Sequence, residues 1–337
     1  MTENGKRTAT IKDVAAAAGV SVATVSRVLA NKGFVRPELR LRVLEAAQSL
    51  SYQPNQAARS LRARTSNTIA LLVSDIRNPF FTALSRAVED ACYAQGMSVF
   101  LGNTDEDPRR ERMYLDLISA ERVAGLIYSP TREAAEAFGE SHPDIPTVIV
   151  DRVVSGVDLD SVVIDNAGAA YQLTTHLLEN GYRRIAGVFG AASTTGQARY
   201  AGYMQALREH GITHAAQWAT FANPRIEDGR TAAAKLLDLP EPPDAIIGSN
   251  SLLTAGALMA IRERGLTIPA QVALAGFDDD TWTTLVEPPI TVICQPTYEI
   301  GSTAAELLLQ RLADPTRSTR QVMLKAQLVA RASTAPR

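Results

Sequence analysis

Residues 10–31 read Thr-Ile-Lys-Asp-Val-Ala-Ala-Ala-Ala-Gly-Val-Ser-Val-Ala-Thr-Val-Ser-Arg-Val-Leu-Ala-Asn, two short helical segments divided by a glycine. Thr10 stands where a helix N-cap belongs, and Asp13 stands where a capping-box acid would reach back to it. Val14, Ala15 and Ala18 form a small-residue face suited to close helix packing. Gly19 supplies the left-handed residue that ends the first helix, Val20 is a buried anchor, and Ser21 caps the second helix. At about 100° per residue, Val25, Val28 and Leu29 share one buried face, while Ala23, Ser26 and Arg27 point the opposite way. Two helices at a tight turn with an outward arginine suit a helix-turn-helix reader of DNA. Arg27 could take a guanine edge or a phosphate, and Val22 and Ala23 could touch thymine methyls. An ordinary helical hairpin with a solvated arginine carries the same pattern.

The composition adds an asymmetry. The 337 residues carry a net charge of −2, but residues 1–64 hold 11 Lys/Arg against 4 Asp/Glu, and the remainder is net −9. A basic head on an acidic body suits a small nucleic-acid-binding module joined to a regulatory domain. Only Cys92 and Cys294 are present, too few for a disulfide framework or a metal cluster, and His142, His176, His210 and His214 show no paired-ligand spacing. No metal and no cofactor is expected. The polar N-terminus lacks an apolar signal core, and no apolar run is long enough to cross a membrane, so the expected location is the cytoplasm.

Beyond the polar loop Asn31–Arg36, Pro37 suits the first turn of a third helix whose stripe is Leu39, Val43, Leu44, Ala47 and Leu50. Residues 52–64 then contain one large apolar side chain, Leu61, with nothing local to pack on, which suits a hinge that orders only when held. From Asn67 onward, apolar runs alternate with helix-length segments. The expected strands are Ile69–Val73, Ser98–Leu101, Gly125–Tyr128, Thr147–Val150, Ser161–Ile164, Ile185–Phe189, Ala245–Gly248, Val272–Phe277 and Thr291–Cys294. Between them lie amphipathic segments such as Phe81–Gln95, Ala167–Asn180, Ala198–His210 and Leu252–Arg264. This alternation predicts parallel α/β sheets, two rather than one for this length. Ligands of such sheets bind beyond the carboxyl ends of the strands. Ser74, Asp75, Asn78, Phe80, Phe81, Asp151, Arg152, Arg199, Asn250 and Asp278–Asp280 fall at such positions. Together they could hold a polyhydroxylated ligand, and singly each fits a helix cap or a surface pair equally well.

The whole chain resembles the lactose-repressor (LacI/GalR) family of bacterial transcription regulators. The resemblance is carried by Ile11-Lys-Asp-Val-Ala-Ala-Ala-Ala-Gly-Val-Ser, Thr24-Val-Ser-Arg-Val-Leu and Tyr52-Gln-Pro-Asn. It continues in Asn78-Pro-Phe-Phe, Arg199-Tyr-Ala-Gly-Tyr, Gly276-Phe-Asp-Asp and Pro288-Pro-Ile-Thr-Val. It implies an all-α helix-turn-helix module at 1–53, a hinge at 54–65 and an α/β core of two parallel-sheet lobes at 66–337, similar to periplasmic binding proteins. Lobe one would take about 66–165 and 295–324, lobe two about 166–294 and 325–333. The implied partners are a second copy of the chain, a pseudo-palindromic operator and a small-molecule effector, a sugar or sugar derivative. Without a C-terminal leucine heptad, a dimer is expected rather than a tetramer.

On the resemblance, Val22, Ala23 and Arg27 would be the main base-contacting positions, with Ser21, Thr24 and Ser26 nearby and Thr10 completing the set on the first two helices. Asn31 and Arg59 would contact phosphate or groove. Asn55–Leu61 would form the hinge helix, with Leu61 wedged into the minor groove. Phe80, Phe81, Asp151, Arg199, Asn250 and Asp278 would meet the effector in the cleft between lobes. Where the family often has an aromatic residue, this chain has Pro224. Phe221 and Trp218 lie near it in sequence, and Trp282 would either make up that wall or pack in the core. Arg36 replaces a common Ser/Thr helix cap. A transporter's solute-binding protein would share the core fold, but the basic DNA module and the missing signal peptide argue against it. An α/β enzyme would show a glycine-rich nucleotide loop, a nucleophile elbow or a metal cluster, none of which the sequence contains.

Overall fold

The computed structural model describes residues 9–29, 34–52, 66–138, 144–154, 156–191, 193–212 and 218–337. Helix α1 (Ile11–Ala18) begins at a capping box: the Thr10 N–H donates to Asp13 Oδ2 at 2.8 Å, and the Asp13 N–H donates to Thr10 Oγ1 at 3.4 Å. A cap of this kind contributes about 1 kcal/mol. Gly19 closes the helix at φ +62°, a conformation that glycine enters without steric cost. Helix α2 (Val22–Leu29) follows, capped by Ser21, whose Oγ accepts the Thr24 N–H at 3.1 Å. Helix α3 (Pro37–Ser49) starts at Pro37 with Arg36 giving no side-chain cap. Val14, Ala15, Ala18, Val25, Val28, Val43, Ala46 and Ala47 form the core of this module, with Val20 and Leu29 partly buried against it.

The stripe expected on α3 is corrected. Leu44 and Leu50 are 44% and 37% exposed, and Ala46 takes the inward position instead. Val43, Ala46 and Ala47 are the i, i+3, i+4 set on one face, and Leu44 lies about 100° round from Val43. Leu50 is the C-cap and so falls outside the helical repeat. The alanines of α1 leave room for alanines, rather than leucines, to face them.

The chain divides into two units, Met1–Ser66 and Asn67–Arg337. The larger runs β1 (Thr68–Val73), α4 (Pro79–Ala94), β2 (Ser98–Asn103), α5 (Pro108–Ala120), β3 (Gly125–Tyr128), α6 (Arg132–Glu136), β4 (Thr147–Val150) and β5 (Asp160–Ile164). Next come α7 (Asn166–Glu179), β6 (Ile185–Gly190), α8 (Thr194–Glu209), β7 (Ala219–Ala222), α9 (Ile226–Leu237), β8 (Ala245–Gly248) and α10 (Ser251–Glu263). The remaining elements are β9 (Ala273–Phe277), α11 (Thr281–Leu285), β10 (Thr291–Cys294), α12 (Thr297–Ala313), β11 (Gln321–Leu324) and β12 (Gln327–Val329).

Two six-stranded sheets result, ordered β11-β5-β4-β3-β1-β2 and β12-β10-β9-β8-β6-β7. The neighbouring pairs are parallel except β10 with β12, where Val292 opposes Val329. Both sheets reverse their winding, between β1 and β3 in one lobe and between β6 and β8 in the other. That is where open α/β sheets form a crevice. The chain passes between lobes three times, after β5, after β10 and between β11 and β12. Each sheet is covered on both faces: Leu71, Val73, Leu84 and Leu308 pack on one side of the first and Leu72, Leu126 and Tyr128 on the other. In the second, Leu173, Phe189 and Tyr203 oppose Val188, Leu253 and Leu274. Gly202 lets α8 approach α7 so closely that an added Cβ would overlap the Ala167 carbonyl oxygen.

All nine expected strands form, with ends shifted by at most two residues. Strands β7, β11 and β12 are additional to those nine. All three are edge strands of three or four residues with no buried position, so none carries the fully buried apolar run of the central strands.

Candidate effector cleft and nucleic-acid interface

On α2, Arg27 and Ala23 are exposed, opposite the buried Val25 and Val28, and Ser26 is half-buried. Val22 is partly buried against the module's core, so only part of it faces outward. The Ser21 and Thr24 hydroxyls lie 2.9 Å apart, and Thr10 is committed to its capping box. The expected contacts Asn31, Asn55, Arg59 and Leu61 lie outside the described residues.

In the larger unit, the cleft between lobes brings together Phe80, Phe81, Asp151, Arg199, Asn250 and Asp278. Phe80 and Phe81 open α4 behind Asn78, whose side chain accepts the Phe80 N–H at 3.1 Å, and their rings meet edge to face at 5.0 Å. Arg199 projects from α8 and is 4% exposed. Its Nε donates to Asn166 Oδ1 at 2.8 Å, its Nη1 donates to the Ser249 carbonyl, and its guanidinium lies 4.0 Å over the Phe277 ring. Burial lowers its pKa from the ordinary arginine value, and the carboxylates of Asp278 and Asp151 oppose that. Asp278 follows β9 at φ +74°, accepting from Gln295 Nε2 at 2.6 Å and from the Ser251 N–H at 3.2 Å. Asn250 caps α10 through the Leu253 N–H at 2.8 Å.

Asp151 follows β4 at φ +67°, its side chain one-tenth exposed. Burial raises its pKa above the ordinary carboxylate range, and Arg152 and Arg199 hold it back. Arg152 is 2% exposed and donates to both Glu106 oxygens, to the Pro130 carbonyl and to Ser74 Oγ at 3.1 Å. Burial alone would lower that guanidinium, but the Glu106 carboxylate overrides it and the group is raised. Arg152 and Glu106 are therefore paired and held in place before any ligand arrives.

Phe221 and Trp282 are not brought to the cleft. Phe221 meets Tyr200 edge to face at 5.3 Å and packs against Phe189 at 5.9 Å. Trp282 donates its indole N–H to Ser251 Oγ at 3.0 Å and packs on the core of the second lobe, as Trp218 does. The wall where an aromatic was sought is instead lined by Pro224, Ser193 and Thr195. Sequence reasoning missed Glu106, Ser193, Thr195, Ser249, Gln295 and the supporting Asn166. Ser249 and Gln295 immediately follow expected strands, so the strand-end rule could have found them. Glu106 reaches Arg152 from a turn that no motif announces.

These features define a class: a helix-turn-helix DNA-binding module followed by a two-lobed α/β core with a polar ligand cleft. Residues 10–55 match the model for bacterial regulatory proteins, lacI family, and residues 66–332 match that for periplasmic binding proteins and sugar binding domain of LacI family. Similar proteins include the HTH-type transcriptional repressor PurR of Aliivibrio salmonicida, 33% identical over 96% of this chain and 98% of its own. The repressor CytR of Escherichia coli K12 is 34% identical over 97% and 96%. Among solved structures, the Lac repressor dimer bound to operator and the anti-inducer ONPF superposes with a TM-score of 0.86 at 26% identity, covering 98% of this chain and 100% of that one. A transcriptional regulator CelR–cellobiose complex gives 0.73 at 29% identity, covering 96% and 99%. The chain belongs to the LacI family of bacterial regulatory proteins, as a ligand-responsive transcription regulator and not an enzyme. Among the described residues no helix is long and apolar enough to cross a membrane, and no group of three or more His, Cys, Asp or Glu could hold a metal ion.

Proposed function

We propose that the protein is a repressor of sugar-metabolism genes that binds a pseudo-palindromic operator as a homodimer and is controlled by a neutral sugar in the inter-lobe cleft. Residues 1–53 read the DNA, 54–65 link, and 66–337 bind the effector and the second copy. One observation carries the choice of ligand. The cleft lining holds four carboxylates, Asp75, Glu106, Asp151 and Asp278, against two guanidiniums, Arg152 and Arg199. Asp75 is paired with Arg77 outside the lining and Glu106 with Arg152, which leaves Asp151 and Asp278 beside Arg199. A phosphorylated or acidic sugar would add negative charge where two carboxylates face one guanidinium. A neutral polyol gives its hydroxyls to the carboxylates, accepts from Arg199 and Asn250, and lays a ring face on Phe80. The cellobiose complex of CelR and the ribose bound to a LacI-family regulator from Enterococcus faecium, 30% identical with a TM-score of 0.72, support a sugar reading. Binding shifts the population of lobe arrangements, and operator affinity follows through residues 54–65.

A thermal-shift screen of neutral sugars, sugar acids, sugar phosphates and nucleobases tests the reading, because saturating ligand raises the midpoint by mass action. Hits among neutral sugars, which then change binding to an operator selected from random duplexes, are expected. A screen in which only sugar phosphates or nucleobases shift the midpoint would overturn the sugar assignment. A monomer at operator-binding concentrations in sedimentation would overturn the dimer.

A further inference from the structure

At the rim of the cleft the chain turns through Thr104, Asp105, Glu106 and Asp107. Asp105 and Glu106 are successive non-glycine residues with φ of +56° and +58°. Left-handed backbone at two such residues in a row is uncommon and persists only when its surroundings hold it. Here the Thr104 N–H donates to the Val73 carbonyl at 3.0 Å, the Glu106 N–H to the Ser74 carbonyl at 3.2 Å and the Asp107 N–H to the Thr104 carbonyl at 3.0 Å. The turn sends its carboxylates apart. Glu106 goes inward to buried Arg152, and Asp105 goes to the rim, where Arg77 and Arg110 of its own lobe meet it, Arg110 at 3.4 Å. Arg225 of the second lobe reaches the same carboxylate, Nη2 to Oδ2 at 3.8 Å. A second contact crosses nearby: Arg132 Nη1 of lobe one donates to the Ala191 carbonyl of lobe two at 3.4 Å, and the Ala191 N–H is tied to the Ala222 carbonyl at 2.9 Å. Neither Asp105 nor Arg225 lines the cleft, although their neighbours Glu106 and Pro224 do.

We propose that Asp105 and Arg225 form an inter-lobe clasp that sets how far the cleft opens without touching its occupant. Asp105 is the fixed half, locked by its turn. Arg225, at the start of α9, is the half that leaves when the lobes part. Asp105 is 19% exposed and Arg225 52%, so the pair is screened by salt and works as a trim rather than a lock. An exposed pair of this kind biases an equilibrium about two- to five-fold. A ligand held by both lobes binds the closed arrangement, so its apparent affinity scales with the closed fraction. The clasp therefore sets affinity for any occupant, whatever its identity.

The test measures the lobe separation directly in the full chain. Spin labels at the exposed positions Glu121 of lobe one and Lys235 of lobe two, diluted into unlabelled protein, report the inter-lobe distance distribution. Arg225→Glu and Asp105→Asn are compared with Arg225→Lys and with the double variant Asp105→Asn/Arg225→Ala. Asparagine tolerates the left-handed turn, so Asp105→Asn keeps the fold even where charge reversal at 225 harms it. Expected at low salt is a long-distance fraction about two- to five-fold larger in Arg225→Glu and Asp105→Asn, with Arg225→Lys near wild type. The double variant should be no more open than Asp105→Asn alone, and wild type should move toward the variants at about 1 M salt. Unchanged distances in Asp105→Asn, or additive opening in the double variant, would overturn the clasp.

Discussion

Replacing Asp278 by asparagine separates the charge of the cleft from its shape. The carboxylate is 5% exposed and accepts from Gln295 Nε2 at 2.6 Å and the Ser251 N–H at 3.2 Å. Its φ of +74° is one that asparagine adopts readily, so the backbone stays in place. Asparagine offers one acceptor oxygen where aspartate offers two. With its oxygen kept on the Ser251 N–H, the asparagine turns its NH2 to Gln295, which keeps that hydrogen bond only by flipping its own amide to present Oε1. Arg199 loses one of the two carboxylates that keep its buried guanidinium charged. A hydrogen bond from a ligand hydroxyl to a charged acceptor contributes about 1.5–3 kcal/mol. The sugar's Kd should therefore rise about 10- to 150-fold at about 1.4 kcal/mol per decade. Stability changes little where the Gln295 amide flips and by about 1–3 kcal/mol where it does not, offset in part by removing a buried charge. Calorimetric titration with the sugar found in the screen reads the first quantity, and operator binding without sugar should be unchanged. An unaltered Kd in a folded Asp278→Asn protein would refute the assignment of this carboxylate to the ligand.

Arg27→Ala should weaken operator binding by about 1–3 kcal/mol and relax base preference at one position of each half-site. Selection from random duplexes checks it, and a uniform loss with unchanged preference would make Arg27 a phosphate contact. His176 is half-buried, its Nε2 2.8 Å from Thr334 Oγ1, and burial lowers its pKa below 6.5 despite Glu179. Its folded pKa lies under its unfolded one, so the unfolded chain binds the extra proton, and this stability is present above about pH 6.5 and lost as pH falls. Melting at pH 7.5 and 5.5 should show a smaller drop in His176→Gln than in wild type; equal drops would exclude the histidine. Gly202→Ala drives a Cβ into the Ala167 carbonyl and should cost about 1–3 kcal/mol, read by denaturant unfolding. An unchanged midpoint would mean that α7 and α8 can move apart freely.

Most of the secondary structure of the larger unit is legible because its central strands are buried on both faces. Ile69–Val73 and Ala245–Gly248 have no polar positions to break the apolar run, and they end at polar residues that mark the strand ends. The edge strands β7 and β11 lack that signal, because they are four residues long and neither has a buried position. The cleft was legible wherever a side chain lies just beyond a strand, as Asp151, Asn250 and Asp278 do. It was not legible where tertiary geometry decides. Glu106 is a cleft residue only because two left-handed residues turn it inward. Phe221 packs instead on Tyr200 and Phe189, a contact that only the tertiary fold creates. On α3, composition favoured the leucines, and the close approach of α1 favoured the alanines.

The placement of the cleft residues explains why a bound ligand would be felt outside the cleft. Asn78, Phe80 and Asp151 belong to the first lobe, Arg199 on α8 with Asn250 and Asp278 to the second, and Gln295 to the crossing between β10 and α12. A ring that hydrogen-bonds Asp151 and Arg199 together ties one lobe to the other. The same ring, drawing on Asp278, competes with or strengthens the 2.6 Å bond from Gln295, which sits on the crossing itself. That crossing leads directly into α12, whose Ile300, Ala304 and Leu308 are part of the first lobe's core. Asp278 of the second lobe is thus linked by one hydrogen bond to Gln295, two residues before the helix that packs in the first lobe's core. Gln295→Ala should therefore reduce the effect of bound sugar on operator affinity more than it reduces sugar affinity. Parallel titrations of sugar binding and of operator release would show equal losses if Gln295 served only as a ligand contact.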